Sequence, residues 1–270
     1  MIAFDRVVMR YPGSERPAVN GVTFTAPRGS VTAVVGPNGS GKSTLVRALL
    51  GRVPVESGTV TLDGIALTSL SRRDVARRLT VVVQREEPAF PLAVADYIAL
   101  GRYAHENAWG FGDAHAREAI AIAAHSAQAE SLLTRRTDEL SGGEWQRVRM
   151  ARALAQGGDG VVLDEPSTFL DIAHEMAQFE LLASLARAGR AVLLVSHQLN
   201  LVARFATSIV LLDAGTVVAH GPPSDVMRGD VLERVYQWPL VVSRDPAVGA
   251  PTLVPLRASR AAPASPSSTS

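Results

Sequence analysis

The residues whose types and spacing most clearly indicate chemistry lie at positions 36–44, where the sequence reads GPNGSGKST. This string satisfies the pattern G-x-x-x-x-G-K-[ST] between an apolar run and the helix-like LVRALL, a context that disfavours the alternative of an accidental glycine-rich turn. Glycines let successive backbone N–H groups curl around a β-phosphate. The Lys42 ammonium would reach the β- and γ-phosphate oxygens, and the Ser43 hydroxyl could ligate Mg²⁺. We therefore predict a phosphate-binding loop made of Gly36, Pro37, Asn38, Gly39, Ser40, Gly41, Lys42, Ser43 and Thr44.

Two adjacent carboxylates follow a second apolar run, in the string VVLDEPS at 161–167. Burying both Asp164 and Glu165 there is costly unless a cation or a proton-transfer task balances them. Asp164 suits the outer coordination sphere of a Mg²⁺ ion, and Glu165 can polarise an attacking water as general base. A surface acidic turn is the alternative, which the phosphate loop in the same chain disfavours.

A second glycine-rich turn opens a helix at LSGGEWQR, residues 140–147. Ser141 can cap this helix, with Glu144 three residues later completing a capping box. An ordinary helix cap does not explain Gly142 and Gly143, because each glycine in the first turn costs about 1 kcal/mol relative to alanine. Close approach of an anion would explain them.

The composition limits what else this chain could do. It has 270 residues, a net charge of +1 and no cysteine, and Lys42 is its only lysine among 27 lysines and arginines. The balanced charge gives no reason to expect nucleic acid as a partner, and the absence of cysteine excludes disulfides and thiolate metal sites. We expect no signal peptide and no membrane span, since the apolar runs are far shorter than the ~20 residues a span requires.

Four short apolar runs must position these groups: VTAVV before Gly36, LTVVV before Gln84, VVL before Asp164, and VLLV before Ser196 and His197. Continuous apolar runs are typical of strands buried on both faces, in a parallel sheet between helices. Ligands bind beyond the carboxyl ends of such strands, so the polar residues that follow them should line one edge.

The rest of the chain shows two other sequence patterns and a polar C-terminal segment. At the N-terminus, alternating segments with turn signals at Asn20-Gly21 and Asp63-Gly64 predict an antiparallel sheet, and another hairpin is expected near residue 215. Between Pro88 and Ala155 the sequence is helical in pattern, with apolar residues at helical spacing from Ala114 to Leu133. The last residues, small and polar, predict a disordered tail.

The motifs GPNGSGKST, Gln84, LSGGEWQR, VVLDEP and His197, in this order and spacing, resemble those of the ATP-binding subunit of an ABC transporter. The resemblance covers roughly residues 1–240. It implies an α/β fold: a P-loop NTPase core with a mostly parallel sheet, an N-terminal antiparallel β subdomain, and an inserted α-helical subdomain at about 88–155. A C-terminal extension at 241–257 and the tail at 258–270 would follow.

The resemblance also implies roles for single residues. It implies a head-to-tail homodimer in which each ATP lies between the phosphate loop of one subunit and LSGGE of the other, so that Ser141 and Gly143 contact the γ-phosphate in trans. Tyr11 matches the aromatic residue that stacks on adenine, with a surface tyrosine on an edge strand as the alternative. Gln84 matches the glutamine that senses Mg²⁺ and links to the membrane partner, and His197 matches the histidine that contacts the γ-phosphate. Residues 168–171 (TFLD, ending at Asp171) match the loop that crosses the dimer interface, and Gln198 departs from the aspartate common at its position.

Four less specific segments resemble those of the subgroup of this family that serves importers of iron chelates, haem and cobalamin. They are VADYIALGRYAH at 94–105, TFLDIAHE at 168–175, HQLNLVARFA at 197–206 and HGPPSDVM at 220–227. The implied partners are integral membrane permease subunits, docked near residues 86–95, and indirectly a substrate-binding protein. The chain would then lie peripherally at the cytoplasmic face of the inner membrane. An ABC ATPase of another transporter class, a non-transport ABC ATPase acting on nucleic acid, and a small-molecule kinase with the same phosphate loop remain as alternatives.

Other polar residues receive a structural interpretation. The remaining histidines show no metal-ligand spacing and are expected to be structural or on the surface: His105, His115, His125, His174 and His220. Arg147, Arg149 and Arg152 are expected to form a solvated helix face.

Overall fold

The computed structural model describes residues 1–84, 86–87, 90–105, 114–166 and 170–257. Its strands are β1 (Ile2–Met9), β2 (Val19–Ala26), β3 (Ser30–Val35), β4 (Val55–Leu62), β5 (Ile65–Ala66), β6 (Leu79–Val82), β7 (Gly160–Asp164), β8 (Ala191–Val195), β9 (Ser208–Asp213), β10 (Thr216–Gly221), β11 (Leu240–Arg244) and β12 (Pro251–Pro255). Its α-helices are α1 (Lys42–Leu49), α2 (Arg72–Arg78), α3 (Val94–Ala99), α4 (Ala114–Ser126), α5 (Gly142–Gln156), α6 (Ile172–Arg187), α7 (Leu199–Phe205), α8 (Pro223–Val226) and α9 (Gly229–Tyr236). Short 3-10 helices lie at Leu67–Ser69, Leu100–His105, Glu130–Leu132 and Thr137–Glu139.

A mostly parallel sheet has the strand order β10-β9-β3-β8-β7-β6. Strands β6, β7, β8, β3 and β9 run parallel to one another, and β10 closes one edge as the antiparallel partner of β9. Every residue of β3, β7 and β8 is buried, which confirms the interpretation of the continuous apolar runs. Because the parallel strands end at the same edge, the residues that follow β3, β6, β7 and β8 come together there.

An antiparallel sheet of order β2-β1-β4-β5 carries the N-terminal segments, as the alternating pattern predicted. Its inward residues include Phe4 and Phe24, whose rings stack with centroids 4.8 Å apart. They share one apolar cluster with Val34 of β3, Leu193 of β8 and Leu45 of α1. The antiparallel sheet therefore packs against α1 and one face of the parallel sheet.

One turn prediction in this sheet is wrong. Asn20-Gly21 does not form a hairpin turn but lies inside β2, where the register with β1 shifts between Phe4 and Val7 and again between Val7 and Met9. Gly21 adopts a φ of 67°, a conformation that suits the irregularity of a β-bulge as well as it suits a tight turn. By contrast, Asp63-Gly64 joins β4 to β5 as expected.

The described residues between 90 and 156 are mostly helical, as the sequence pattern predicted, but the apolar spacing from Ala114 to Leu133 does not correspond to one continuous helix. Helix α4 ends at Ser126 rather than continuing to Leu133, because Gln128 takes the left-handed conformation, with a φ of 53°, and ends the helical run. These helices share an apolar cluster with the other face of the parallel sheet, where Ile98 and Leu163 both contribute. The limits of a helical subdomain at about 88–155 stay a prediction.

The arginines of α5 do not form the expected solvated face. Only 4% of Arg149 is exposed, and its guanidinium lies close to the Glu86 carboxylate. Arg152 pairs with the same carboxylate, and Arg147 contacts the His174 ring. The helical pattern places the three arginines correctly on α5, but the loop after β6 and helix α6 cover them.

A C-terminal hairpin of β11 and β12 packs against α7. The Asn200 side chain donates to the Leu253 carbonyl at 3.2 Å and accepts from the Leu253 N–H at 2.8 Å. The predicted disordered tail at 258–270 lies outside the described residues. None of the helices in the described part of the chain is long and apolar enough to cross a membrane.

Candidate active site

The loop between β3 and α1 has a conformation that requires glycine at particular positions. A Cβ atom on Gly36, whose φ is 147°, would lie 2.1 Å from the Leu212 carbonyl oxygen. A Cβ atom on Gly41, whose φ is 100°, would lie 2.4 Å from the Ala18 carbonyl oxygen. Both glycines therefore let the loop fold tightly against neighbouring backbone. The turn that they allow leads directly into α1.

Lys42 lies at the first position of α1 with its side chain turned back into the loop. Its Nζ donates hydrogen bonds to the carbonyl oxygens of Gly36 and Pro37, both at 2.8 Å. Burial lowers the pKa of Lys42 below its ordinary value, and the nearby carboxylates of Glu165 and Asp164 oppose that shift. The ammonium is thus held where a bound anion would also stabilise its charge.

The N-terminus of α1 has no capping side chain and no acidic residue in its first turn, so its backbone N–H groups suit an anion. Beside it, the Ser43 hydroxyl donates to Asp164 Oδ1 at 3.2 Å. Asp164 ends β7 and is only 6% exposed. Burial raises the pKa of its carboxyl, and the Ser43 hydrogen bond partly opposes that rise. Ser43 and Asp164 together offer oxygen ligands of the kind that hard divalent cations take.

Glu165 sits one residue past the end of β7, in an uncommon backbone conformation with a φ of 49°. Its N–H donates to the Val195 carbonyl at 2.9 Å, which fixes it against β8. Its Oε2 accepts a hydrogen bond from Gln84 Nε2 at 2.6 Å, and its Oε1 lies 3.6 Å from His197 Nδ1. Residues from the ends of three strands, β6, β7 and β8, thus converge on one carboxylate.

These groups line an open cleft of about 640 Å³. Tyr11 also lines this cleft, and its hydroxyl accepts a hydrogen bond from Arg47 Nη1 at 2.7 Å and lies 3.3 Å from Thr44 Oγ1. The lining residues are Tyr11, Ala18, Asn38, Gly39, Gly41, Lys42, Ser43, Thr44, Arg47, Gln84, Glu165 and His197. Arg47 is not among the residues predicted from the sequence, although its position four residues after Ser43 places both on one face of α1.

The second glycine-rich turn forms the predicted helix start but does not line this cleft. Ser141 caps α5 by accepting from the Glu144 N–H at 3.3 Å, and Glu144 Oε2 accepts from the Ser141 N–H at 2.8 Å. Gly142 and Gly143 form the first turn of α5. None of these four residues is among those that line the cleft.

Asp171 also lies outside the cleft lining, at the N-terminus of α6. Its Oδ1 accepts from the backbone N–H and from Nδ1 of His174, at 2.9 and 2.8 Å, and these bonds lower the pKa of Asp171. Residues 168 and 169 of the same predicted loop lie outside the described residues. Gln198, which departs from the family's usual aspartate, donates through its side chain to Glu175.

Known proteins resemble this chain in sequence. The family model described as ABC transporter matches residues 19–168. The hemin import ATP-binding protein HmuV of Nocardia farcinica is 40% identical over 245 residues, covering 91% of this chain and 84% of that protein.

Solved structures resemble this chain in fold. A transporter described as an ABC transporter of the metal-chelate type, in an inward-facing conformation, superposes with a TM-score of 0.80 at 25% identity, covering 94% of this chain and 97% of that one. The dimeric bacterial ABC transporter cassette MJ0796 superposes with a TM-score of 0.73 at 26% identity, covering 82% and 98%. The family model spans more than half of the chain, so this protein belongs to the ABC transporter family.

Proposed function

We propose that this chain is the ATP-hydrolysing subunit of a membrane importer, with Glu165 as its general base. The observation that carries the proposal is the setting of Glu165. Its carboxylate accepts from Gln84 at 2.6 Å, faces His197 and lines the same cleft as Lys42 and Ser43. A carboxylate beside a phosphate-binding loop can accept a proton from a water that attacks the terminal phosphate.

The other residues at the cleft would bind and orient the nucleotide. Lys42 would exchange its hydrogen bonds with the loop carbonyls for phosphate oxygens, and the N–H groups of residues 36–44 would surround the β-phosphate. Tyr11, which lines the same cleft, would stack its ring on the adenine. The His197 side chain is 61% exposed, so it would be accessible to a γ-phosphate.

The residues present also fit a Mg²⁺ ion. Asp164 is a buried carboxylate with a raised pKa and a hydroxyl neighbour, so a cation beside it would favour its ionised form. Ser43 and Asp164 would hold the ion, and the Gln84 carboxamide at the same edge could contribute its oxygen. Mg²⁺ would offset negative charge on the β- and γ-phosphate oxygens.

A second copy of the chain would complete the site. Ser141, Gly142, Gly143, Glu144 and Asp171 lie outside the lining of their own cleft. Ser141 and Gly142 are exposed at the start of α5, so they are accessible to another subunit. A head-to-tail homodimer, supported by the similarity to a dimeric cassette, would bring these residues against the nucleotide held by the partner.

The importer would carry a metal chelate such as an iron-siderophore complex, haem or cobalamin. The similarity to a hemin import ATP-binding protein and to a transporter of the metal-chelate type supports this cargo class. The partners would be integral membrane permease subunits, and indirectly a substrate-binding protein. The chain would bind at the cytoplasmic face of the membrane.

The first test is Glu165→Gln, with Glu180→Gln, an exposed glutamate of α6, as the matched control. A general base contributes about 10²- to 10⁴-fold, so hydrolysis should slow by at least ~100-fold while ATP binding is retained. The variant should elute from gel filtration as a dimer with ATP and as a monomer without it. A single-turnover rate close to that of the unmodified protein would refute the assignment of Glu165.

The second test concerns the cargo. The chain should co-purify with its native permease, and ATP hydrolysis by that complex should rise when a binding protein loaded with ferric chelate, haem or cobalamin is added. Stimulation by none of the three would contradict the proposed cargo class.

A further inference from the structure

The loop after β6 is attached to the helical segment through Glu86. One oxygen of the Glu86 carboxylate accepts from the Tyr97 hydroxyl at 3.0 Å, and the other accepts from Arg152 Nη2 at 3.1 Å. The backbone carbonyl of Glu86 accepts from the Trp145 indole N–H at 2.7 Å. Trp145 and Arg152 both belong to α5, so the residue two positions after Gln84 is anchored to this helix.

Arg149 of α5 attaches the same loop on the other side of Gln84. Its Nη2 donates to the carbonyl of Val83, its Nη1 donates to Gln146 Oε1 at 2.7 Å, and its Nε lies 3.6 Å from Glu86 Oε2. In the described part of the chain, Glu86 is the carboxylate with which Arg149 forms an ion pair. Only 4% of Arg149 is exposed, and burying a guanidinium costs free energy unless it is paired and hydrogen-bonded. Moving Val83 or Glu86 away from Arg149 is therefore unfavourable.

Gln84 lies between two residues that are bonded to α5. The residue before Gln84 and the residue two positions after it are both fixed to that helix, and the Gln84 side chain donates to Glu165 at 2.6 Å. We propose that Arg149 and Glu86 are positioning residues that tie the loop carrying Gln84 to α5, so that the hydrogen bond from Gln84 to Glu165 follows the position of that helix. This inference rests on the proposed role of Glu165. Helix α5 begins at the turn proposed to contact the nucleotide of the second subunit, so the same helix would link both ends of the site.

The direct test is Arg149→Met, which removes the guanidinium but keeps a long apolar side chain. We expect kcat for ATP hydrolysis to fall at least tenfold while KM for ATP stays within about threefold, because the variant displaces Gln84 and not the phosphate loop. Arg149→Lys, which keeps a charged donor, should have a kcat at least threefold higher than that of Arg149→Met. The matched control is Arg102→Met, since Arg102 is partly buried and bonds the same helix at the Ala155 carbonyl but touches neither Val83 nor Glu86.

A double-variant comparison separates positioning from general damage. If Arg149 acts through Gln84, then Arg149→Met should change kcat less than twofold in a Gln84→Ala background. An equal loss of rate in both backgrounds would overturn the proposal. Glu86→Gln is the second variant, because Glu86 is partly exposed and its replacement does not open a cavity in the core. It should lower kcat at least threefold, and again only when Gln84 is present.

Amide hydrogen exchange gives a readout that does not depend on hydrolysis. Arg149→Met and Glu86→Gln should each speed exchange at residues 83–87 at least tenfold, and Arg102→Met should leave it unchanged. Unchanged exchange at residues 83–87 in both variants would refute the tether even if hydrolysis is as proposed. Full hydrolysis by Glu165→Gln, together with faster exchange in these variants, would refute the proposed base and leave the tether standing.

Discussion

Replacing the only lysine of the chain by arginine conserves its charge and tests the geometry of the phosphate loop. In Lys42→Arg the compact ammonium, which donates to the Gly36 and Pro37 carbonyls at 2.8 Å each, is replaced by a planar guanidinium with five N–H donors. Only 6% of Lys42 is exposed, so water can satisfy few of the additional donors. Gly36 cannot move away easily, because it packs directly against the Leu212 carbonyl.

The expected loss can be worked out from these contacts. A hydrogen bond to a charged group is worth about 1.5–3 kcal/mol, and Lys42→Arg should misplace at least one such bond to the phosphates. This corresponds to a fall of roughly 10- to 150-fold in kcat/KM for ATP. Steady-state ATPase assays and ATP titrations would measure it, with thermal unfolding to establish that the variant is folded.

The control is Arg187→Lys, the same exchange in reverse at an exposed position of α6, which should leave kcat/KM within about twofold. Activity of Lys42→Arg within threefold of the unmodified protein would refute the reasoning. It would mean that the loop accommodates a planar guanidinium as well as the compact ammonium of lysine.

Three further predictions concern other parts of the chain. The raised pKa of Asp164 means that its ionised form costs stability at pH 7, a cost that disappears below the ordinary value of 3.8. Asp164→Asn should therefore raise the Tm of the nucleotide-free protein at pH 7, by an amount that shrinks toward acidic pH, and should slow ATP hydrolysis at least about tenfold; an unchanged or lower Tm at pH 7 would contradict this. Tyr11→Ala should weaken ATP binding by roughly 5- to 150-fold, the range for base stacking, whereas Tyr11→Phe stays within about threefold and tripolyphosphate binding is unaffected in either variant; equal losses for ATP and tripolyphosphate would argue against stacking. Deleting residues 258–270 should leave the ATPase rate unchanged, and a clear loss of rate would show that the tail has a role.

Local rules predicted much of the sheet and of the cleft. Continuous apolar runs are buried when a strand lies between two layers of helices or sheet, so they predicted β3, β6, β7 and β8. Because parallel strands run in one direction, the polar residues at their carboxyl ends lie at one edge. The glycines and the single lysine of residues 36–44 also predicted the tight loop between β3 and α1, which stays proposed to bind phosphate. The turn predicted at Asn20-Gly21 was wrong because a glycine with positive φ can form either a tight turn or a β-bulge. Only the pairing of β1 with β2 decides which one forms.

The sequence by itself determined which groups could do chemistry: a glycine loop ending in the only lysine, two carboxylates after a buried strand, and a capped glycine turn. These are properties of residues close in the chain, where backbone conformation and spacing suffice. Only the tertiary structure decided that Gln84 donates to Glu165, that Arg47 reaches Tyr11, and that Arg149 is buried against Glu86 instead of facing solvent. Those contacts join residues distant in sequence, and helical spacing shows which side chains share a face but not which element covers that face.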